Sequence, residues 1–135
     1  MFNLFKKRPK WIDFQRSLNI LLNSKDKLEV LLITENPRPQ LQVAYKSRLA
    51  EFNYQKEQTN NLIAVLDFND ENIKWLNTFM SSNYFDLSIK SKEEENYYYI
   101  ELPTDENEVS KQIDDILRTV FNYKNSTVCQ VAVIK

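Results

Sequence analysis

Not one of the 135 residues is glycine. A residue without Cβ is what lets a loop wrap its backbone N–H groups around a phosphate, so glycine-rich phosphate loops and dinucleotide-binding turns are excluded. The chain also has no histidine and a single cysteine, Cys129. That removes imidazole general bases, Ser–His and Cys–His couples and histidine-containing zinc sites. One cysteine makes neither an internal disulfide nor a paired-cysteine metal knuckle. Carboxylate pairs alone can carry acid–base catalysis, but nothing in the sequence positions such a pair. The residues point to binding, with no cofactor and no metal, and not to an enzyme.

At this length a single domain spanning residues 1–135 is expected, large enough to bury roughly two-thirds of its unfolded surface. A formal net charge of −1 gives no reason to expect nucleic acid as the partner. No apolar run approaches the roughly 18 residues of a membrane span, so stable membrane insertion is not expected. Residues 1–9 form a basic segment, with Lys6, Lys7 and Arg8 beside Phe2, Leu4 and Phe5, and Lys10 just beyond. Its charges follow a very short apolar stretch, the reverse of a secretory signal, and a reduced, cytoplasmic location is the expectation. The segment reads either as a weak contact for an anionic membrane surface or a partner, or as an ordinary chain end.

Apolar spacing then divides the chain. Trp11, Phe14, Leu18, Leu21 and Leu22 fall on one helical face, with Pro9 suited to the first turn. Leu28–Thr34 and Gln40–Lys46 read as a hairpin turned by Asn36-Pro37-Arg38-Pro39, with Leu41, Val43 and Tyr45 on one face. A third strand is expected over 49–54, where Ala50, Phe52 and Tyr54 alternate with Glu51 and Asn53. The run Leu62–Leu66 fits either a strand or an extended linker. Asn69 or Asp70 is placed to cap a helix carrying Ile73, Leu76, Phe79 and Met80, with Phe68 stapled onto Ile73. Two strands follow, one with Phe85, Leu87 and Ile89 on a face and one with Tyr98, Ile100 and Leu102, joined by the charged loop Ser91–Glu95. Val109, Ile113, Ile116, Leu117, Val120 and Phe121 then mark the strongest helix, opened by Asp105 and Glu108. Residues 125–135 form a valine-rich, strand-like tail.

The order α-β-β-β-α-β-β-α implies a two-layer α+β domain, its amphipathic helices covering an antiparallel sheet. If Leu62–Leu66 is a sheet strand, residues 61–134 also read as a ferredoxin-like βαββαβ unit with an N-terminal α-β-β extension.

This order resembles the type III secretion chaperone-like fold group and its YbjN-type relatives. The stretches that carry the likeness are Trp11-Ile12-Asp13-Phe14, Leu41-Gln42-Val43-Ala44-Tyr45, Leu49-Ala50-Glu51-Phe52 and Asp115-Ile116-Leu117-Arg118-Thr119-Val120-Phe121, within residues 10–123. The glycine usual before the fourth strand of that group is absent around Ser81–Asn83. The resemblance implies a cytoplasmic, non-catalytic homodimer that holds part of a secreted or effector protein in a hydrophobic groove or along a sheet edge. It nominates Trp11, Phe14 and Leu18 on the first helix as partner-binding residues.

Three local features carry candidate function. Alternation turns Tyr98 toward the core and Tyr97 and Tyr99 to the opposite face, where they either contact a partner or lie under cover of the fold. The region Glu93–Asp115 holds nine acidic residues, and with Lys111 inside it and Lys92 just before it the local balance is −7. Glu93, Glu94 and Glu95 at its start would serve an immunity or inhibitor protein that binds a toxin through charge, or simply solvate a hairpin tip. Asp67, Asp70 and Glu71 lack the sharp glycine turn of a calcium loop and suit a helix start. Cys129 reads as a small apolar side chain.

Overall fold

The computed structural model describes residues 30–34, 39–45, 62–103, 105–124 and 130–134. The strands are β1 (Val30–Thr34), β2 (Leu41–Tyr45), β3 (Leu62–Asp67), β4 (Ile89–Lys90), β5 (Tyr97–Glu101) and β6 (Gln130–Ile134). Between β3 and β4 lie a 3-10 turn (Asp70–Trp75) and the short helices α1 (Leu76–Met80) and α2 (Asn83–Leu87). The long helix α3 (Glu106–Val120) follows β5. The strands form one sheet in the order β4-β5-β3-β2-β1-β6, and every neighbouring pair is antiparallel. This is a mixed α+β domain built on an antiparallel sheet.

The antiparallel pair β1–β2 and the strand at Tyr97–Glu101 are those expected from the sequence. Leu41, Val43 and Tyr45 share a face with Leu62, Ala64, Leu66, Tyr98 and Ile100, and α3 covers that face with Val109, Ile113, Ile116, Leu117 and Val120. Asp105 caps α3: its Oδ1 accepts from the N–H groups of Asn107 and Glu108 at 2.9 and 3.2 Å. At the far end Asn122 takes the left-handed conformation (φ 58°), and the Tyr123 N–H returns to the Leu117 carbonyl at 3.1 Å.

Leu62–Asp67 resolves the open reading of that run. It is a strand beside β2, and all six of its residues are buried. Strands buried on both faces read as unbroken apolar runs, which is why Leu62-Ile63-Ala64-Val65-Leu66 showed no alternation. The second face of the sheet is therefore also closed, with Ile63, Val65 and Tyr99 clustered on it. The strand expected over residues 49–54 and the helix expected over Trp11–Leu22 lie outside the described residues.

Three expectations are corrected. A ferredoxin-like unit over 61–134 would close with β6 beside β3, but β2 already occupies that side of β3, and β6 pairs with β1 instead. The strand expected to carry Phe85, Leu87 and Ile89 is mostly helix: α2 runs to Leu87, and only Ile89–Lys90 is extended. Phe68 does not staple onto Ile73, which is exposed. The Phe68 ring turns inward, stacked on Phe79 and Phe121 with centroids 4.9 and 5.6 Å away and edge-on to Tyr98 at 5.9 Å.

Phe68 links the sheet to both helical segments, so Phe68→Ala is expected to destabilise the fold by about 3–5 kcal/mol in urea unfolding. Asp105→Ala, which removes only the α3 cap, is expected to cost about 1 kcal/mol in the same measurement.

Candidate binding surface at the β4 edge

The crossover from β3 to β4 leaves four large apolar side chains exposed: Ile73 (48%), Met80 (47%), Leu87 (63%) and Ile89 (57%). Their exposure is set locally. Ile73 lies in the 3-10 turn and Met80 ends α1, next to Phe79, which is fully buried. Leu87 ends α2, and Ile89 lies on the outermost strand.

The pairing register places Ile89 more closely. Directly opposed residues share a sheet face, so Val65, Tyr99 and Ile89 form one row across β3, β5 and β4. Along that row exposure rises from 2% at Val65 through 5% at Tyr99 to 57% at Ile89. The next position on the same face of β5 is Tyr97, half-buried and packed against the Ile63–Val65–Tyr99 cluster. An apolar strip thus leaves the buried second face and emerges at the sheet edge.

Beside it stands the β4–β5 turn, which carries Glu93, Glu94 and Glu95, all exposed. The Ser91 Oγ accepts from the N–H groups of Glu93 and Glu94 at 3.2 and 2.8 Å. The Tyr99 hydroxyl donates to the same oxygen at 3.4 Å. Asn96 takes the left-handed conformation (φ 57°) that reverses the chain, and its carbonyl accepts from the Phe68 N–H at 3.0 Å. The Asn69 Nδ2 donates to the Glu95 carbonyl at 2.7 Å and to the Asp67 Oδ1 at 3.1 Å. The acidic turn is therefore held both by its own hairpin and by the exit of β3. Asn69 occupies the expected cap position but makes no side-chain cap bond to the 3-10 turn; its amide serves this network instead. Asp67, Asp70 and Glu71 do not converge, and among the described residues no cluster of acidic or thiol groups has metal-site geometry.

The edge is anchored from behind through α2. Phe85 packs edge-on against Phe79 at 5.6 Å, and the Tyr84 hydroxyl donates to the Asp115 Oδ2 on α3. Burial first, then this hydrogen bond and the Asp115 charge, push the Tyr84 phenol well above its ordinary value.

The structure thus brings two sequence candidates together, Tyr97 with Tyr99 and Glu93–Glu95, at one end of one sheet face. Tyr99 is closed off by its own fold, and Tyr97 offers part of its ring. Trp11, Phe14 and Leu18 lie outside the described residues. The sequence reading missed Ile89 and Leu87 as surface residues by assigning both to a core-facing strand. A signal for the helix was present in Ser82 at the cap position with Asp86 in the first turn.

The Tyr84 contact gives an alkaline dependence. Unfolded Tyr84 ionises near its ordinary value of about pH 10, whereas the folded phenol keeps its proton to higher pH, so unfolding in that window releases a proton. The stability tied to Tyr84 is complete below about pH 10 and is lost as pH rises through the folded value. Tyr84→Phe is expected to lose less stability than the unaltered chain between about pH 9 and pH 11 in urea titrations. Equal losses would show that the contact does not hold in solution.

No protein-family model, curated protein or solved structure matches this chain.

Proposed function

We propose that this chain is a non-catalytic protein-binding domain, a chaperone-like adaptor that holds a segment of another protein along its β4 edge. The observation that carries the reading is the row Val65–Tyr99–Ile89, which begins in a closed apolar cluster and ends on an exposed isoleucine of an edge strand. An edge strand offers unpaired main-chain N–H and C=O groups, and an extended partner that satisfies them adds itself to the sheet. Alternate side chains of such a partner fall on the Ile89 and Tyr97 side. Burying Ile89 fully contributes about 1.5–3 kcal/mol by apolar transfer. The order β-β-β-α-α-β-β-α over Val30–Val120 supports a type III secretion chaperone-like assignment for the domain. Among the described residues no helix is long and apolar enough to cross a membrane.

A second reading, an immunity or inhibitor protein that binds a folded toxin by charge, is favoured by the bracing of the acidic turn through Ser91 and Asn69. Capture of partners from the lysate of the native host separates the two. Ile89→Asp is expected to remove most of the captured partner at moderate salt while changing stability by no more than about 0.5 kcal/mol, as for other surface positions. Retention of the partner by that variant, with loss on reversing Glu93, Glu94 and Glu95 to lysine, would favour the charge-driven reading.

A further inference from the structure

We infer that the segment taken by the β4 edge is cationic at its N-terminal end and alternately apolar after it. The inference rests on the strand-addition reading above and adds the chemistry and direction of the occupant. All five strand pairings in the described sheet are antiparallel, so a strand continuing the pattern beside β4 runs antiparallel to it. β4 runs from Ile89 through Lys90 toward the turn at Glu93–Glu95. The N-terminal end of an antiparallel partner therefore meets the acidic turn, and its following residues pass Lys90 and then Ile89.

Charge decides what that end must be. The turn Lys92–Glu95 has three carboxylates against one ammonium, and Glu93, Glu94 and Glu95 are all exposed. Their backbone is fixed by the bonds to the Ser91 Oγ and by the Asn69 amide, so the three charges are presented from a set position and not from a free loop. Lysine or arginine at the partner's leading end is attracted there, and an acidic leading end is repelled. Past the turn the requirement changes. Ile89 shares a face with Tyr99 and Tyr97, so every second partner residue falls on that side, and the one beside Ile89 meets apolar surface. Lys90 lies on the other face, opposite Tyr98, and disfavours a cation directly beside it. The Lys90 side chain and the two-residue length of β4 also limit indiscriminate edge pairing, which leaves a segment of matching charge order as the occupant.

The test is selection from a displayed library of random decapeptides against the full chain, repeated with Ile89→Asp and with the triple variant Glu93→Lys, Glu94→Lys, Glu95→Lys. The expected result is enrichment of peptides with lysine or arginine before an alternating apolar stretch. Resynthesised peptides are expected to weaken at least tenfold against the triple variant, at least tenfold when their cations are replaced by glutamine, and on raising salt. Reversing the order of cations and apolar residues is expected to cost binding of similar size. Enriched peptides that are neutral or acidic, yet still lost with Ile89→Asp, would overturn the charge assignment and leave the adaptor reading standing. Enrichment with the cations after the apolar stretch would overturn the antiparallel direction. No enrichment, or enrichment indifferent to Ile89→Asp, would overturn strand addition at this edge altogether. A dimer in sedimentation that Ile89→Asp dissociates would make a second copy the occupant and overturn the proposal.

Discussion

The fold depends on where one ring goes. Phe68 follows the last residue of β3 and is fully buried, with Phe79 and Phe121 stacked on it and the edge of Tyr98 against it. Those neighbours belong to three separate elements: α1, the end of α3, and β5. The chain must leave β3, cross the sheet edge and return as β4, and Phe68 fixes that departure by turning inward at the first step. Phe79 extends the cluster to Tyr98 at 4.9 Å, so α1 is seated on β5 directly as well as through Phe68. Aromatic pairs of this kind each add about 0.5–1.5 kcal/mol beyond their burial, which makes the group the densest source of stability at this end of the molecule.

The exposed β4 edge is a consequence of the same packing. With α1 seated by Phe79 and α2 by Phe85 and the Tyr84–Asp115 bond, the inward side of the crossover is used up by aromatic contacts. Ile73, Met80 and Leu87 stay exposed. α2 packs on the Tyr98 face of β5, so Ile89, which opposes Tyr99, lies on the other face, beyond the reach of α2. The row from Val65 to Ile89 is a buried layer that runs past its cover, and such a layer is completed most economically by one more strand.

Where the sequence was legible, a single period governed the residues. α3 alternates apolar and polar positions with helical spacing over its whole length, and Asp105 marks its start in both sequence and structure. β2 and β5 each alternate in sequence, so the residues facing α3, Leu41, Val43 and Tyr45 on β2 and Tyr98 and Ile100 on β5, were assigned correctly. β3 was not legible because burial on both faces erases alternation. The segment 83–90 misled because Phe85, Leu87 and Ile89 mimic a strand, while Leu87 and Ile89 belong to different elements and Phe85 reaches the core from a helix. Asn69 was assigned as a cap because its type and position fit one. Its amide went instead to Asp67 and Glu95, a contact 26 residues away that no local pattern encodes. For the candidate surface, the sequence yielded the tyrosines and the glutamates separately; only the register of β3, β5 and β4 places them beside Ile89.

The absence of glycine bears on how this edge works. The described residues with positive φ are Asp70, Asn96 and Asn122, all carrying side chains that tolerate the left-handed region and bond locally. A glycine at the position of Asn96 would turn the hairpin equally well, but it would leave more backbone freedom and remove the amide that reaches Asn69 at 3.4 Å. With asparagine there, the turn that carries Glu93–Glu95 is tied to the exit of β3, which Phe68 in turn ties to the core. Under the strand addition proposed above, a partner would meet charges and an apolar position already in place. The ordering cost of association would then fall mainly on the partner segment, so affinity would depend on how well that segment's own sequence matches the edge.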